Sequence, residues 1–125
     1  MATTRLIHIT PELPPTVGGI ADYTAILSQR LMEVSNGAVE PVLLRAGKAS
    51  DTEPDVDFRI VDHGRSYSAG ALSTTIEQLT SETSGPAVVL LQYSGYGYAP
   101  RGAPLWLLRA LQQVCGGEGV PLITM

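Results

Sequence analysis

Short apolar runs alternate along the chain with stretches in which apolar residues return every three or four positions. The runs predict buried β-strands, and the spaced stretches predict helices. The predicted strands are residues 5–10 (RLIHIT), 41–46 (PVLLRA), 57–62 (DFRIVD), 87–93 (AVVLLQY) and 120–125 (VPLITM). Because continuous apolar strands that alternate with helices are typical of covered parallel sheets, the pattern predicts an α/β, Rossmann-like fold. We expect a mostly parallel five-stranded sheet with helices on both faces and the first strand central, between the second and the fourth.

Three helices are predicted from the same spacing. Their apolar positions are Ile20, Tyr23, Leu27, Leu31 and Val34 in the first; Leu72, Ile76, Leu79 and Thr83 in the second; and Leu105, Leu108, Leu111 and Cys115 in the third. Stop signals follow each of them, as SNG, SGP and a Gly-Gly pair. The third helix begins at Pro104 and is apolar nearly all round, so we expect it to be covered on more than one side.

The connection between the second and third strands is the weak point of this topology. Residues 47–56 contain no helical pattern, and a parallel crossover usually needs a dozen or more residues. The sequence therefore leaves an antiparallel arrangement of these two strands open as an alternative. Pro41 is expected at the first position of its strand, where a missing amide is tolerated.

Composition limits the classes of function. The 125 residues suit one domain, 1–125, and the net charge of −4 without a basic cluster argues against a nucleic-acid partner. Cys115 is the single cysteine, so no intrachain disulfide forms, and no Cys/His spacing indicates a metal site. A reducing, cytoplasmic compartment fits. No run is long enough to span a bilayer, and peripheral attachment at the inner membrane face is left open.

Two glycine-rich loops, residues 10–19 and 92–102, fall at the carboxyl ends of the first and fourth predicted strands, where open α/β sheets bind ligands. Gly18 and Gly19 directly precede the first helix, whose free amides and positive dipole end favour an anion. The alternative is that the two glycines only turn the chain into the helix. Neither GxGxxG nor Gly-Lys-Ser/Thr is present, so dinucleotide and P-loop sites are disfavoured and no cofactor is predicted.

Two segments resemble a known family. Residues 9–31 (ITPELPPTVGGIADYTAILSQRL) look like the opening of family-4 glycosyltransferases, and residues 90–111 (LLQYSGYGYAPRGAPLWLLRAL) resemble their fourth-strand region. The resemblance covers essentially the whole chain. It implies a GT-B fold of two Rossmann-like domains that performs metal-free, retaining transfer from a nucleotide-diphosphate sugar to a saccharide or lipid-linked acceptor. It also implies that residues 1–125 are an incomplete, acceptor-side first domain.

The resemblance assigns roles position by position. It implies that the amides of Gly18, Gly19 and Ile20 bind the donor diphosphate, where fixed dipoles stabilise the charge that develops on the leaving group. The family's paired glutamates belong to a second domain, so no residue here is assigned a catalytic role, and we expect the chain alone to be inactive. The alternative function is a stand-alone α/β module that binds an anion, another ligand or a partner without catalysis.

Aromatic and basic residues after the fourth predicted strand are candidates for acceptor binding. Tyr93, Tyr96, Tyr98 and Arg101 could form a platform for a sugar ring and a phosphate, although a solvated loop is the alternative. His8 is expected to be a hydrogen-bonded core histidine and Cys115 a small core residue. His63 and Arg65 face the expected cleft side without forming a recognisable catalytic group.

Self-association is also expected from the sequence. The third helix and the last strand would leave apolar surface and an open strand edge on the domain. A homo-oligomer would cover both.

Overall fold

A five-stranded parallel sheet forms the centre of the protein. The computed structural model describes residues 3–14, 19–46, 56–63, 68–99, 104–117 and 119–125, with the backbone alone at residues 95 and 96. The strands are β1 (Thr4–Thr10), β2 (Val39–Arg45), β3 (Arg59–Asp62), β4 (Ala87–Leu91) and β5 (Leu122–Thr124). Their order is β3-β2-β1-β4-β5. The predicted α/β class, the central position of β1 and its two neighbours are confirmed.

Four helices connect these strands within the described residues. They are α1 (Gly19–Val34), α2 (Ala69–Ser81), α3 (Gly95–Tyr98) and α4 (Leu105–Cys115). The first, second and third predicted helices correspond to α1, α2 and α4, whereas the short α3 lies in a segment that was predicted to be a loop. Local signals fix the helix ends. Gly37, at a φ of 80°, donates its amide to the Met32 carbonyl after α1, and the Ser68 hydroxyl accepts from the Ala71 amide before α2.

The antiparallel alternative for β2 and β3 is wrong. The two strands pair in parallel, with Val42 opposite Arg59 and Arg45 opposite Asp62. The reason is that β3 begins at Arg59, later than predicted, so the connection runs from residue 46 to residue 58. That is about the dozen residues that a parallel crossover needs. Residues 47–55 lie outside the described part of the chain.

Pro41 is the third residue of β2, not the first, and it lies opposite Leu6 of β1. Along β2 the backbone groups alternate between the two neighbouring strands, and the Arg45 carbonyl bonds toward β3 by accepting from the His63 amide. The amide that Pro41 lacks would also point toward β3. Because pairing with β3 starts only at Val42, no ladder hydrogen bond is lost at Pro41.

The larger part of the core lies on the sheet face that α2 and α4 cover. Alternate strand residues point to this face. The buried residues there are Ile7, Ile9, Val42, Leu44, Val89 and Leu91 from the strands, with Leu72, Ile76, Leu79, Leu107, Ala110, Leu111 and Val114 from the two helices. Helices on both faces are confirmed, with two on this face and α1 on the other.

Helix α1 approaches the sheet through small residues. Its buried side chains are Ala21, Thr24 and Ser28, whereas Tyr23 and Val34 of the apolar stripe are 46% and 82% exposed. The small residues allow close approach to β1, since Ser28 Oγ lies 2.9 Å from His8 Nδ1. The spacing of large apolar residues predicts the position of the helix in the sequence correctly. The face that α1 buries, however, is rotated around the helix axis from the predicted apolar stripe.

Helix α4 is covered on one side only in the part of the chain that the structure describes. Leu107, Ala110 and Val114 are buried against α2 and the sheet, whereas Leu105 is 61% and Leu108 49% exposed. The expectation of cover on more than one side is therefore wrong here. The outer apolar surface of α4 is open to solvent.

Candidate functional site

The candidate site is the crevice at the carboxyl ends of β1 and β4. The chain leaves β1 toward β2 in one direction, whereas β4 and β5 extend the sheet in the other. Ligands of open α/β sheets bind where the strand order reverses in this way. The segment that follows β1 leads into α1, and the segment that follows β4 forms α3.

The predicted phosphate-binding residues lie at the amino end of α1, in part outside the described residues. Gly19 and Ile20 form the first helical positions, and Gly18 is not among the residues that the structure describes. A Cβ atom built on Gly19 would meet no atom within 4 Å. Gly19 is exposed and Ile20 is half-buried, and phosphate binding by the first amides of α1 stays a prediction.

A row of polar side chains crosses the carboxyl end of the sheet beneath the start of α1. Asp62 pairs with Arg45, and Arg45 pairs with Thr10, on neighbouring strands. Gln92 lies alongside the end of β1, because its amide donates to the Ile9 carbonyl at 2.9 Å. Thr10, Arg45 and Gln92 are buried, at 0, 5 and 6% exposure. No sequence pattern marks this polar row, because its members lie on or directly after separate strands.

Thr10 connects the polar row to α1. Its hydroxyl donates to the Glu12 carbonyl at 2.9 Å and lies 3.1 Å from the Thr24 hydroxyl, which itself donates to the Ile20 carbonyl at 2.7 Å. These bonds fix the first turns of α1 above the end of β1.

Two buried polar atoms of the row have no hydrogen-bond partner among the described residues. They are Arg45 Nε, a donor, and Gln92 Oε1, an acceptor. An unsatisfied buried polar group costs about 1–3 kcal/mol, so both atoms are suited to hydrogen-bond a polar ligand. The guanidinium of Arg45 is also paired with Asp62, at 2.5 Å between Nη2 and Oδ2, which offsets its charge.

Of the three predicted acceptor-binding residues, the structure describes the side chain of Tyr93 alone. Tyr93 is 48% exposed and lines a groove with Leu108 and Leu122 on the α4 side of the sheet. Tyr96 lies in α3, where only its backbone is described, and Arg101 lies outside the described residues. Acceptor binding by these three residues stays a prediction.

Tyr98 is not part of a surface platform, because its side chain is fully buried. Its hydroxyl donates to the Gln92 carbonyl at 2.5 Å and lies 3.3 Å from the Ile9 carbonyl. Burial raises the pKa of Tyr98, so the phenol stays protonated. Its role is to hold α3 against the ends of β1 and β4.

A close approach of two segments narrows the crevice. A Cβ atom at Gly97 would lie 2.7 Å from Pro11 Cβ, so α3 packs directly on the segment after β1. Only glycine fits this contact without displacement. The glycine-rich sequence of residues 95–98 was the available signal for it.

His63 and Trp106 stack at the end of β3, with ring centroids 5.9 Å apart. Burial lowers the pKa of His63, and the charge of Asp62 opposes that shift. The stack is a packing contact between β3 and α4, and Arg65 lies outside the described residues. The other two minor expectations are confirmed, since His8 is a buried, hydrogen-bonded histidine and Cys115 packs half-buried against the core.

Neither a metal site nor a membrane span is found in the described part of the chain. No three His, Cys, Asp or Glu side chains there converge as a metal ion would require. No helix among the described residues combines the length and apolarity needed to cross a bilayer.

Comparison with known proteins returned no match, whether with family models, with curated sequences or with solved structures. Function must therefore be argued from the residues and their geometry.

Proposed function

We propose that this chain is the acceptor-side, N-terminal portion of a retaining, nucleotide-sugar-dependent glycosyltransferase and that it is inactive without a second, nucleotide-binding domain. The observation that carries the proposal is the position of α1. The helix begins at Gly19, which is exposed, at the carboxyl edge where the strand order reverses between β1 and β4. The resemblance of residues 9–31 to family-4 glycosyltransferases implies that the ligand bound at that position is the donor diphosphate.

The proposed chemical role of α1 is electrostatic. Negative charge grows on the diphosphate as the glycosidic bond breaks, and the helix amides stabilise it without reorganisation. Holding donor and acceptor in near-attack geometry can supply about 7–11 kcal/mol of the barrier reduction. That positioning needs a second wall opposite the crevice, so one domain does not transfer sugar.

Pyrophosphate is expected to bind at the amino end of α1. The dipole contribution of a helix terminus is about 0.3–1 kcal/mol, so binding should be weak. In a titration of ¹⁵N-labelled protein, the largest amide shifts should appear at Gly18, Gly19 and Ile20. Largest shifts elsewhere in the spectrum would refute the anion site.

Two variants of Gly19 sharpen this titration. Space around Gly19 admits a side chain, and both Asp and Asn are well tolerated at helix starts. Gly19→Asp places a negative charge at the proposed anion position and should weaken pyrophosphate binding at least about tenfold relative to Gly19→Asn. Equal affinities for the two variants would show that the anion binds elsewhere.

A stand-alone ligand-binding module is the second candidate function. Arg45 Nε and Gln92 Oε1 favour it, because neither has a hydrogen-bond partner among the described residues and polar groups of a ligand that reached them would satisfy them without any reaction. The two candidates differ in turnover. Transfer of label from UDP- or GDP-sugars when a second domain is supplied supports the transferase, and ligand binding without transfer supports the module.

We also propose that the chain self-associates through β5 and the outer side of α4. Leu105, Leu108 and Leu122 expose apolar surface there, and β5 is an edge strand without charged residues. Sedimentation velocity should show dimers or larger species, and Leu122→Glu should shift them to monomer. A monomer at the highest attainable concentration of unsubstituted protein would disprove this proposal.

A further inference from the structure

The polar row forms the last layer of the sheet on the face that α1 covers. Thr10 and Arg45 are the final residues of β1 and β2, and Gln92 directly follows β4. Arg45 is paired with Thr10 on one side, and Gln92 continues the register of β1 with β4 on the other. Residues opposite each other on neighbouring strands point to the same face. Because the Thr10 hydroxyl lies 3.1 Å from that of Thr24 in α1, Arg45 and Gln92 flank Thr10 on the α1 face.

The row presents one donor and one acceptor on the two sides of Thr10. Arg45 Nε and Gln92 Oε1 are buried and have no hydrogen-bond partner among the described residues, and the two residues are 5 and 6% exposed. Folded proteins rarely leave such groups unpaired, because each has lost its water without gaining a partner. A ligand that matches the row must therefore offer an acceptor to Arg45 and a donor to Gln92.

The charges of the row favour a neutral ligand. Arg45 Nη2 lies 2.5 Å from Asp62 Oδ2, so the guanidinium charge is offset within the row. An anion that reached Arg45 Nε would also lie close to the Asp62 carboxylate and be repelled by it. The proposed anion position is a separate one, since Gly19 precedes Thr24 by five residues, which is about 7.5 Å along the helix.

We propose that the polar row binds the hydroxyl groups of a neutral sugar, one accepting from Arg45 Nε and another donating to Gln92 Oε1. A hydroxyl both donates and accepts, and a sugar ring carries several, so one ring pairs with groups on both sides of Thr10. A nucleobase fits less well, because bases are held by stacking on aromatic side chains and no member of the row is aromatic. The inference goes beyond the proposed function, because it does not require transfer. The sugar is the acceptor in the transferase and the ligand in the stand-alone module.

The probes are the neutral methyl glycosides of α-D-glucose, α-D-mannose and α-D-galactose, titrated into ¹⁵N-labelled protein. The Nε–H signal of Arg45 and the side-chain amide signals of Gln92 report on the two sides of the row. At least one glycoside should shift both sets of signals in a saturable way. Gln92→Leu removes the acceptor at similar volume and should weaken that binding about tenfold. Gln78→Leu, the same change at an exposed position of α2, is the matched control and should leave the affinity unchanged.

Arg45→Lys tests the other side of the row and keeps the proposal testable if Gln92→Leu does not fold. Lysine retains a positive charge beside Asp62 but has no nitrogen at the Nε position. It should therefore also weaken glycoside binding about tenfold.

Several results would overturn the proposal. They are unmoved Arg45 and Gln92 signals with all three glycosides, or equal glycoside affinity in Gln92→Leu and the unsubstituted protein. Binding of uridine in place of the glycosides would assign the row to a nucleoside, and larger shifts of the Arg45 Nε–H signal with pyrophosphate would assign it to an anion. Glycoside binding at the row without any pyrophosphate shift at Gly19 and Ile20 would support this proposal while refuting the anion site.

Discussion

The free energy of unfolding is expected to fall by about 3 kcal/mol between about pH 7.5 and about pH 4, with most of the loss caused by His8. The side chain of His8 is fully buried, with Nδ1 2.9 Å from Ser28 Oγ and no partner at Nε2 among the described residues. Burial lowers the pKa of His8 from 6.5 to about 4. A shift of this size, at about 1.4 kcal/mol per unit, corresponds to roughly 3 kcal/mol.

The sign follows from proton uptake. Between about pH 6.5 and about pH 4, His8 takes up a proton in the unfolded chain but not in the folded one, so acid favours unfolding. The stability that neutral His8 retains is therefore fully present above its unfolded pKa and is lost as the pH falls toward the folded one. Urea unfolding at a series of pH values measures this slope directly.

His8→Leu should remove most of this pH dependence, whatever its effect on stability at neutral pH. His63 is the other histidine whose pKa burial lowers, and His63→Gln is the matched control that should keep most of the slope. The carboxylate of Glu82, whose pKa is lowered from 4.5 by Arg59, contributes only at lower pH. An unchanged slope in His8→Leu would contradict the prediction.

Truncation of Tyr98 is expected to cost as much as any single change in the core. Tyr98 is the largest fully buried side chain among the described residues. Tyr98→Ala should destabilise the fold by about 3–5 kcal/mol, the range for a buried aromatic side chain. Tyr98→Phe should cost about 1–3 kcal/mol, because the Gln92 carbonyl loses its donor.

Tyr93 provides the control for Tyr98, since it is half-exposed and no side-chain hydrogen bond of its hydroxyl is found in the described structure. Tyr93→Phe and Tyr93→Ala should each cost much less than the same change at Tyr98. Urea unfolding compares the four variants. A Tyr98→Ala variant as stable as Tyr93→Ala would show that α3 is not fixed by this ring.

Part of the candidate site could be read from the sequence. The position of Gly19 and Ile20 at the start of α1 could be predicted, because a glycine pair followed by a helical apolar repeat is a local signal for a helix start. The predicted surface position of Tyr98 is wrong, because a tyrosine in a glycine-rich segment is typical of an exposed loop. Only the tertiary structure shows that its ring lies between β1 and β4. The polar row of Asp62, Arg45, Thr10 and Gln92 left no sequence pattern, since its members come from β3, β2, β1 and the residue after β4, far apart in the chain.

The sequence by itself determined the five strands, three of the four described helices and their order, because apolar runs of strand length, helical repeats and their stop signals depend on neighbouring residues and are recorded in local patterns. The direction of β3, the buried face of α1 and the open side of α4 were decided only by the tertiary structure. Each of these three features depends on which surfaces of the helices and strands pack against each other. The small residues Ala21, Thr24 and Ser28 face the sheet because they allow α1 to approach His8 and Thr10, and no repeat of large apolar residues encodes that contact.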